Sequence, residues 1–205
     1  MTIRSPDRPR DGVHELPLNS GERSPAWTGV VLLAVIELMV VGALIASWFY
    51  LRVGTAQWPP ADAGMPDLVL GGAGQLLLTL SALPVWLSER AYRHHADERP
   101  LRRLFPLALL MVGAYAALKC FEYAKVSYRW SSHAYGSISW TLTGYQLLHA
   151  AVLIVFGLVV WGFVRGHDLK GQRNAAVECV ALYWYFLVAS SLLEFLTTHV
   201  SPYLL

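Results

Sequence analysis

Ionisable side chains interrupt several long apolar stretches of this sequence. Glu37 and His149 each lie near the centre of such a stretch. A polar or charged group is costly in hydrocarbon, and a carboxyl-to-imidazole hydrogen bond lowers the cost for both partners. We therefore predict that Glu37 and His149 pair; the alternative is that each bonds separately to a neighbouring hydroxyl or backbone carbonyl.

Four further charged side chains lie inside or at the ends of apolar stretches. Lys119 and Glu122 are three residues apart, so on a helix they can partly neutralise each other, although Lys119 can also extend its ammonium outward to water. Glu178 lies near the start of the last stretch, where an acid is favoured at a helix N-terminus, which predicts a structural role. Glu194 lies nearer the other end and is expected close to water.

Histidine and cysteine spacing predicts no metal or haem site. His149 is central in its stretch, His199 is at the end of another, and the other five histidines lie outside the stretches, whereas bis-histidine haem ligation needs two at matching depth. Cys120 and Cys179 are expected in opposite leaflets as small packing residues, without a disulfide. No nucleotide-binding or hydrolase motif is present, so we predict no catalytic, metal-binding or cofactor-binding residue in this chain.

The elements that carry these residues are five apolar runs, each long enough to cross a hydrocarbon core of about 30 Å as a helix. Apolar residues make up 55% of the chain and charged residues 15%, and the eight Trp and ten Tyr suit interfacial belts. The sequence predicts an all-α, polytopic membrane bundle over residues 26–205. The expected helices are 27–51, 68–87, 104–123, 138–164 and 175–199, with Pro84 bending or ending the second.

Charge outside the helices predicts how the bundle is oriented. Residues 1–25 contain four prolines among mixed charges and are expected to form a disordered tail. The tail and the loops on its side of the membrane hold twelve Lys and Arg, against three on the opposite side. Basic residues favour the cytoplasmic side, so we expect a cytoplasmic N-terminus and an outer C-terminus. The net charge of +2 gives no indication of a nucleic-acid partner.

Short motifs in a fixed order resemble subunit III of the haem-copper cytochrome oxidases. The resemblance spans residues 30–190 and is closest to the short, five-helix bacterial forms. Its motifs are VIELM at 35–39, FYLR at 49–52, QWPP at 57–60, FEY at 121–123, AYGS at 134–137, LTGYQLLH at 142–149 and LYWYF at 182–186.

The sequence also departs from the pattern of that family. Gln146 and Tyr185 stand where the family usually has histidines, and Val188 stands where it usually has an aspartate. Gln and Tyr can still form hydrogen bonds, but Val cannot. Of the polar family positions, Glu37, Glu122 and His149 are kept, and Lys119, Gln146, Glu178 and Glu194 are supporting candidates.

The resemblance implies an accessory subunit without redox centres in a proton-pumping respiratory oxidase. It implies a bacterial cytoplasmic membrane, bound phospholipid, and a catalytic subunit I that carries the haem and copper. In that family Glu37 would belong to a lipid cleft and react with carbodiimides, and the subunit would support proton uptake and protect the catalytic metal site.

Two other functions are compatible with parts of the sequence. The altered histidine and aspartate positions are compatible with a related accessory protein of nitric oxide reduction. A small proton or ion transporter could use Glu37, His149 and Glu122 as its path, but such folds usually show internal repeats or broken helices, and no repeat is evident.

Overall fold

The computed structural model describes residues 25–95, 99–166 and 173–204, and these residues form long helices joined by short loops. Five helices are long and apolar enough to cross a membrane, so the chain is a multi-pass membrane protein. The predicted tail lies outside the described residues except for Pro25, which begins the first helix. The helices are α1 Pro25–Val53, α2 Leu68–His95, α3 Arg99–Ala124, α4 Ala134–Arg165 and α5 Arg173–Phe195, followed by a π turn Leu196–Val200 and a short α6 Ser201–Leu204.

The second helix continues well past Pro84, so the expectation that this proline ends it is wrong. A proline inside a helix removes only one backbone N–H, so a single carbonyl, here that of Leu80, loses its helical partner. A helix in a membrane protein tolerates such a loss where it packs against neighbouring helices. One turn after the proline, Ser88 donates its hydroxyl to the Pro84 carbonyl oxygen at 2.5 Å. The helix reaches His95 and carries Glu89 on its last turns.

Helix α5 lies at the centre of the bundle, where it contacts α1, α2 and α4. Helix α3 packs on α2 and α4, and α1 lies against α4 and α5. Trp184 of α5 is fully buried, donates its indole N–H to Ser81 at 2.8 Å and meets the Phe105 ring at 5.7 Å. By contrast, α1 buries only Val41 and Trp48, so most of its apolar surface is open to lipid or to another protein.

The end of the bundle that carries the α1–α2 and α3–α4 loops is closed by aromatic packing. Trp48, Trp58 and Tyr135 lie with ring centroids 5.0 to 5.2 Å apart. The Trp58–Pro59 peptide is cis. Ser127 donates its hydroxyl to the Asp62 carbonyl oxygen at 2.9 Å and so joins the two loops. We call this end of the molecule the loop-closed end.

Candidate functional site

Glu37, Tyr145 and His149 meet halfway along α1 and α4 and form what we call the mid-helix cluster. Glu37 Oε2 accepts a short hydrogen bond from the Tyr145 hydroxyl. It also lies 3.4 Å from Nε2 of His149. The two side chains are therefore close, as the predicted pairing requires, but each also has the separate partner of the alternative: a hydroxyl for Glu37 and a backbone carbonyl for His149. The other ring nitrogen of His149, Nδ1, donates to the Tyr145 carbonyl oxygen at 2.8 Å, which fixes the orientation of the imidazole.

The mid-helix cluster is only partly enclosed. The Glu37 side chain is 23% exposed and that of His149 is 9% exposed. The His149 ring also packs against Tyr183 and Phe186 of α5, with centroids about 6 Å away. One side of the Glu37 carboxyl is therefore held by α4, while the other faces the open surface of α1.

Sequence reasoning missed Tyr145, although a signal was available. Residues four apart on a helix share a face, so Tyr145 lies one turn from His149 and in reach of the same carboxyl. The centroids of these two rings are 4.2 Å apart.

Lys119, Glu122, Glu194 and His199 form a second group near the loop-closed end, which we call the buried quartet. The ammonium nitrogen of Lys119 lies 3.4 Å from Glu122 Oε2 and 3.9 Å from Glu194 Oε1. His199 Nε2 lies 2.5 Å from Glu122 Oε1. The predicted Lys119–Glu122 pair is therefore present, but it belongs to a larger network drawn from two helices and the π turn.

The expectation that Glu194 lies near water is wrong, since its side chain is 1% exposed. Lys119 pairs with Glu122 and does not take the alternative of extending to water, since its side chain is 2% exposed. The Thr143 hydroxyl donates to Glu194 Oε1 at 3.1 Å. Glu194 points between α3 and α4 rather than to the membrane surface, since its position on α5 faces the centre of the bundle.

Local backbone geometry brings His199 into the quartet. The π turn is one residue wider than an α-helical turn, and the Ser201 N–H bonds to the Leu196 carbonyl oxygen. On the facing helix, a Cβ at Gly71 would clash with Cδ2 of His199, so the ring occupies space that only glycine leaves free. Sequence reasoning missed this position for His199, because no sequence signal marks the π turn.

A cavity of about 230 Å³ opens beside Glu122 and His199 at the loop-closed end. Tyr123 and Tyr128 lie on its wall, and Asp67 and Lys125 also contribute to its lining. Tyr128 lies in the α3–α4 loop, and burial raises the pKa of its phenol above 10.0. Its hydroxyl therefore stays protonated at neutral pH, and the cavity is lined by polar groups able to hold water.

The remaining candidates are spread over the bundle rather than gathered in one site. Gln146 is buried between the two clusters and accepts a hydrogen bond from Ser190 at 3.4 Å. Glu178 is partly buried near the start of α5. Tyr185 donates to Glu89 Oε2 at 2.9 Å, so at this altered family position a polar contact is kept. Val188 packs against the apolar core.

Metal-binding geometry is absent from residues 25–95, 99–166 and 173–204. Within those ranges, no group of three His, Cys, Asp or Glu side chains could hold an ion. Cys120 is exposed and Cys179 is buried, and neither forms a disulfide within these ranges.

The fold and its two internal clusters define a multi-pass helical membrane protein whose polar groups are held inside the bundle. Residues 11–201 match the family described as Cytochrome c oxidase subunit III. The match covers most of the sequence, and the chain belongs to this family. It is thus an accessory subunit of a multi-subunit oxidase complex, as the motif resemblance indicated.

Individual relatives support the same family. The chain is 23% identical to cytochrome c oxidase subunit 3 of Thermostichus vulcanus over 161 residues, which cover 78% of this chain and 79% of the relative. The Synechocystis sp. (strain ATCC 27184 / PCC 6803 / Kazusa) protein of that name is 26% identical, with coverage of 78% and 68%. A probable cytochrome c oxidase subunit 3 of Nocardia farcinica is 29% identical, with coverage of 78% and 79%.

Proposed function

We propose that this chain is the subunit III of a proton-pumping haem-copper oxidase in a bacterial cytoplasmic membrane. It packs against the catalytic subunit I, which carries the haem and copper, and takes no redox step itself. Family membership supports this proposal, as does a bundle whose internal polar groups offer no metal ligand set within the described residues. Its role is to support proton uptake by the catalytic subunit and to keep that subunit active.

The observation that carries the site proposal is the partial exposure of Glu37 at the middle of α1. A carboxyl that is 23% exposed there faces the surface of a helix that buries only two of its residues. Acyl chains of a phospholipid, or an apolar surface of subunit I, would cover that surface. The Glu37 carboxyl would then lie where α1 meets the lipid or subunit I. Tyr145 and His149 hold the carboxyl at this position from the α4 side.

The distribution of basic residues supports an N-terminus in the cytoplasm. Under this orientation, the loop-closed end and its cavity face outward, and Glu37 lies near the middle of the bilayer.

The first experiment is purification of the full chain in mild detergent through a tag on the N-terminal tail. The proposal predicts that haem and copper arrive together with a large multi-spanning partner, seen in the optical spectrum, the metal content and the co-purifying chains. An oxidase partner supports the proposal, whereas a nitric oxide reductase partner would favour that related function. A colourless homo-oligomer without a partner would overturn the accessory role and favour a transporter.

Carbodiimide labelling tests the role of Glu37 in the purified assembly. We expect Glu37 to be modified and Glu194 to be protected, because their side chains are 23% and 1% exposed. The variant Glu37→Gln provides the matched control, since it keeps the shape and removes the reactive carboxyl. Labelling of other membrane-embedded acids without labelling at Glu37 would contradict the proposed site.

A further inference from the structure

The buried quartet contains an unequal number of positive and negative groups. Glu122 and Glu194 are acids, Lys119 is the one permanent cation among the four, and the fourth group is the imidazole of His199. Three of the four side chains are at most 3% exposed, and that of Glu122 is 13% exposed. An uncompensated charge is costly at such burial, so one additional proton would balance the quartet.

Hydrogen-bond partners around His199 can accommodate the additional proton. Thr198 has one hydroxyl proton, and its oxygen lies 2.7 Å from Nδ1 of His199 and 2.9 Å from the Glu194 carbonyl oxygen, one helical turn back. With an unprotonated Nδ1 the hydroxyl donates to the ring, and with a protonated Nδ1 it accepts from the ring and donates to the carbonyl. Both forms of the ring are therefore satisfied, and the charge balance favours the protonated one.

The second ring nitrogen shares a proton with Glu122. Nε2 of His199 and Oε1 of Glu122 are 2.5 Å apart, a hydrogen-bond distance that needs a proton between the two atoms. When Nδ1 is protonated as well, a proton on Nε2 makes the ring an imidazolium, and a proton on Oε1 makes Glu122 a neutral acid. In either arrangement the Glu122–His199 pair then holds the one additional proton that balances the quartet.

Water can reach this pair from the loop-closed end. Glu122 and His199 both line the cavity of about 230 Å³, whereas Lys119 and Glu194 do not. The proton-holding pair therefore separates the cavity from the inner charges of the quartet. A proton from water can add to the pair and leave again, and when it leaves the Thr198 hydroxyl only has to turn and donate to Nδ1.

We propose that the buried quartet is a proton-binding site that holds one exchangeable proton between Glu122 and His199, supplied through the adjacent cavity. Within the described residues, no charged side chain of α1, α2 or α4 enters the quartet. Other titratable groups surround it: Tyr115 and Tyr123 of α3, Tyr128 and Lys125 of the α3–α4 loop, Tyr135 of α4, and Asp67 at the start of α2. This site is separate from the mid-helix cluster and does not depend on the role proposed for Glu37.

The protonation state can be measured directly on the full chain in the assembly in which it purifies. Nitrogen NMR of ring-labelled histidine reports whether one or both nitrogens of His199 carry protons, and the infrared carbonyl band reports a protonated carboxyl. His199→Gln and Glu122→Gln assign the two signals. We expect a doubly protonated ring or a neutral Glu122 acid at neutral pH. A singly protonated ring beside ionised Glu122 would overturn the proposal without any variant.

Two charge-changing variants should shift the number of protons on the quartet in opposite directions. Glu194→Gln removes one negative charge, so we expect the additional proton to be lost at neutral pH. Lys119→Met removes the positive charge, so a second proton should appear as a new neutral carboxyl. Glu89→Gln, on the distant end of α2, should change neither signal. An unchanged proton count in folded Glu194→Gln would contradict the charge-balance argument.

A cavity variant tests the access route. Val126 lines the cavity, and Val126→Trp would fill part of it. We expect slower deuterium exchange of the proton on the Glu122–His199 pair, with the proton count unchanged. Unchanged exchange in that variant would show that the cavity does not supply the site.

Discussion

The mid-helix cluster and the buried quartet are both built on a glutamate beside a histidine, but they stabilise it differently. At the mid-helix cluster the acid is 23% exposed, and a neutral hydroxyl from Tyr145 holds it. In the quartet the acid beside the histidine, Glu122, is 13% exposed and lies 3.4 Å from Lys119. The second acid, Glu194, is 1% exposed and lies 3.9 Å from the same ammonium. The difference shows that a partly exposed acid needs only a hydrogen bond, whereas a buried acid needs a compensating charge.

The comparison is tested most strongly by removing the compensating charge. Lys119→Met leaves two buried acids without their cation, and breaking a buried ion pair in this way costs about 3 to 5 kcal/mol. We expect a loss of this size in the free energy of unfolding, measured in mixed micelles by denaturant titration. Lys125→Met is the matched control, since the exposed Lys125 lies over the Phe121 ring and outside the quartet.

A double variant sharpens this prediction. Lys119→Met combined with Glu194→Gln removes one charge of each sign, so the combined loss should be smaller than the sum of the two single losses. Additive losses would show that Lys119 and Glu194 do not compensate each other.

A smaller loss in the free energy of unfolding is expected from filling the space beside His199. In Gly71→Ala the new Cβ meets the His199 ring, and overpacking of this kind costs about 1 to 3 kcal/mol. Alanine favours a helix over glycine by about 1 kcal/mol, which offsets part of this loss. Gly72→Ala has the same gain in helix propensity but no clash, because its Cβ would lie 3.8 Å from the nearest ring atom.

The informative quantity is therefore the difference in unfolding free energy between these two alanine variants. We expect Gly71→Ala to be the less stable of the two and to shift the NMR signals of His199. Equal stability and unchanged ring signals would mean that the ring does not occupy the space that Gly71 leaves.

The smallest loss in the free energy of unfolding is expected at the mid-helix cluster. Tyr145→Phe removes the hydroxyl that donates to Glu37, at a typical cost of about 1 kcal/mol for one hydrogen bond. The partly exposed carboxyl can find another partner, so the bundle should stay folded while the carbodiimide reactivity of Glu37 changes. A loss as large as that of Lys119→Met would remove the contrast between the two clusters.

Much of the fold could be predicted from the sequence because hydrocarbon imposes a simple rule. Long apolar runs must form helices in a membrane, and five such runs gave five helices. The Glu37–His149 contact was also predictable, since both residues lie at the middle of their helices. Depth along a helix can be read from sequence once the topology is known.

The quartet could not be predicted in full, because helix facing and local backbone geometry are absent from the linear pattern. Glu194 looks like a residue near the membrane surface by position, yet α5 is the central helix and turns it inward. The course of α2 beyond Pro84 was not predictable either, because a proline removes a single backbone hydrogen bond and the packing of the bundle decides whether the helix continues. His199 joins the quartet only through the π turn and the space at Gly71.

The wide turn at Leu196–Val200 holds one residue more than the α-helical turn it replaces, so it can absorb a change in length. Deleting a residue within it would let the helix close regularly, and the side chains beyond it would keep roughly their present directions. His199 lies inside the turn and would change its direction relative to Glu122, whereas the Tyr203 hydroxyl beyond the turn should keep its 2.8 Å hydrogen bond to the Pro66 carbonyl oxygen. A single deletion in this segment would therefore alter the quartet and spare the last residues of the bundle.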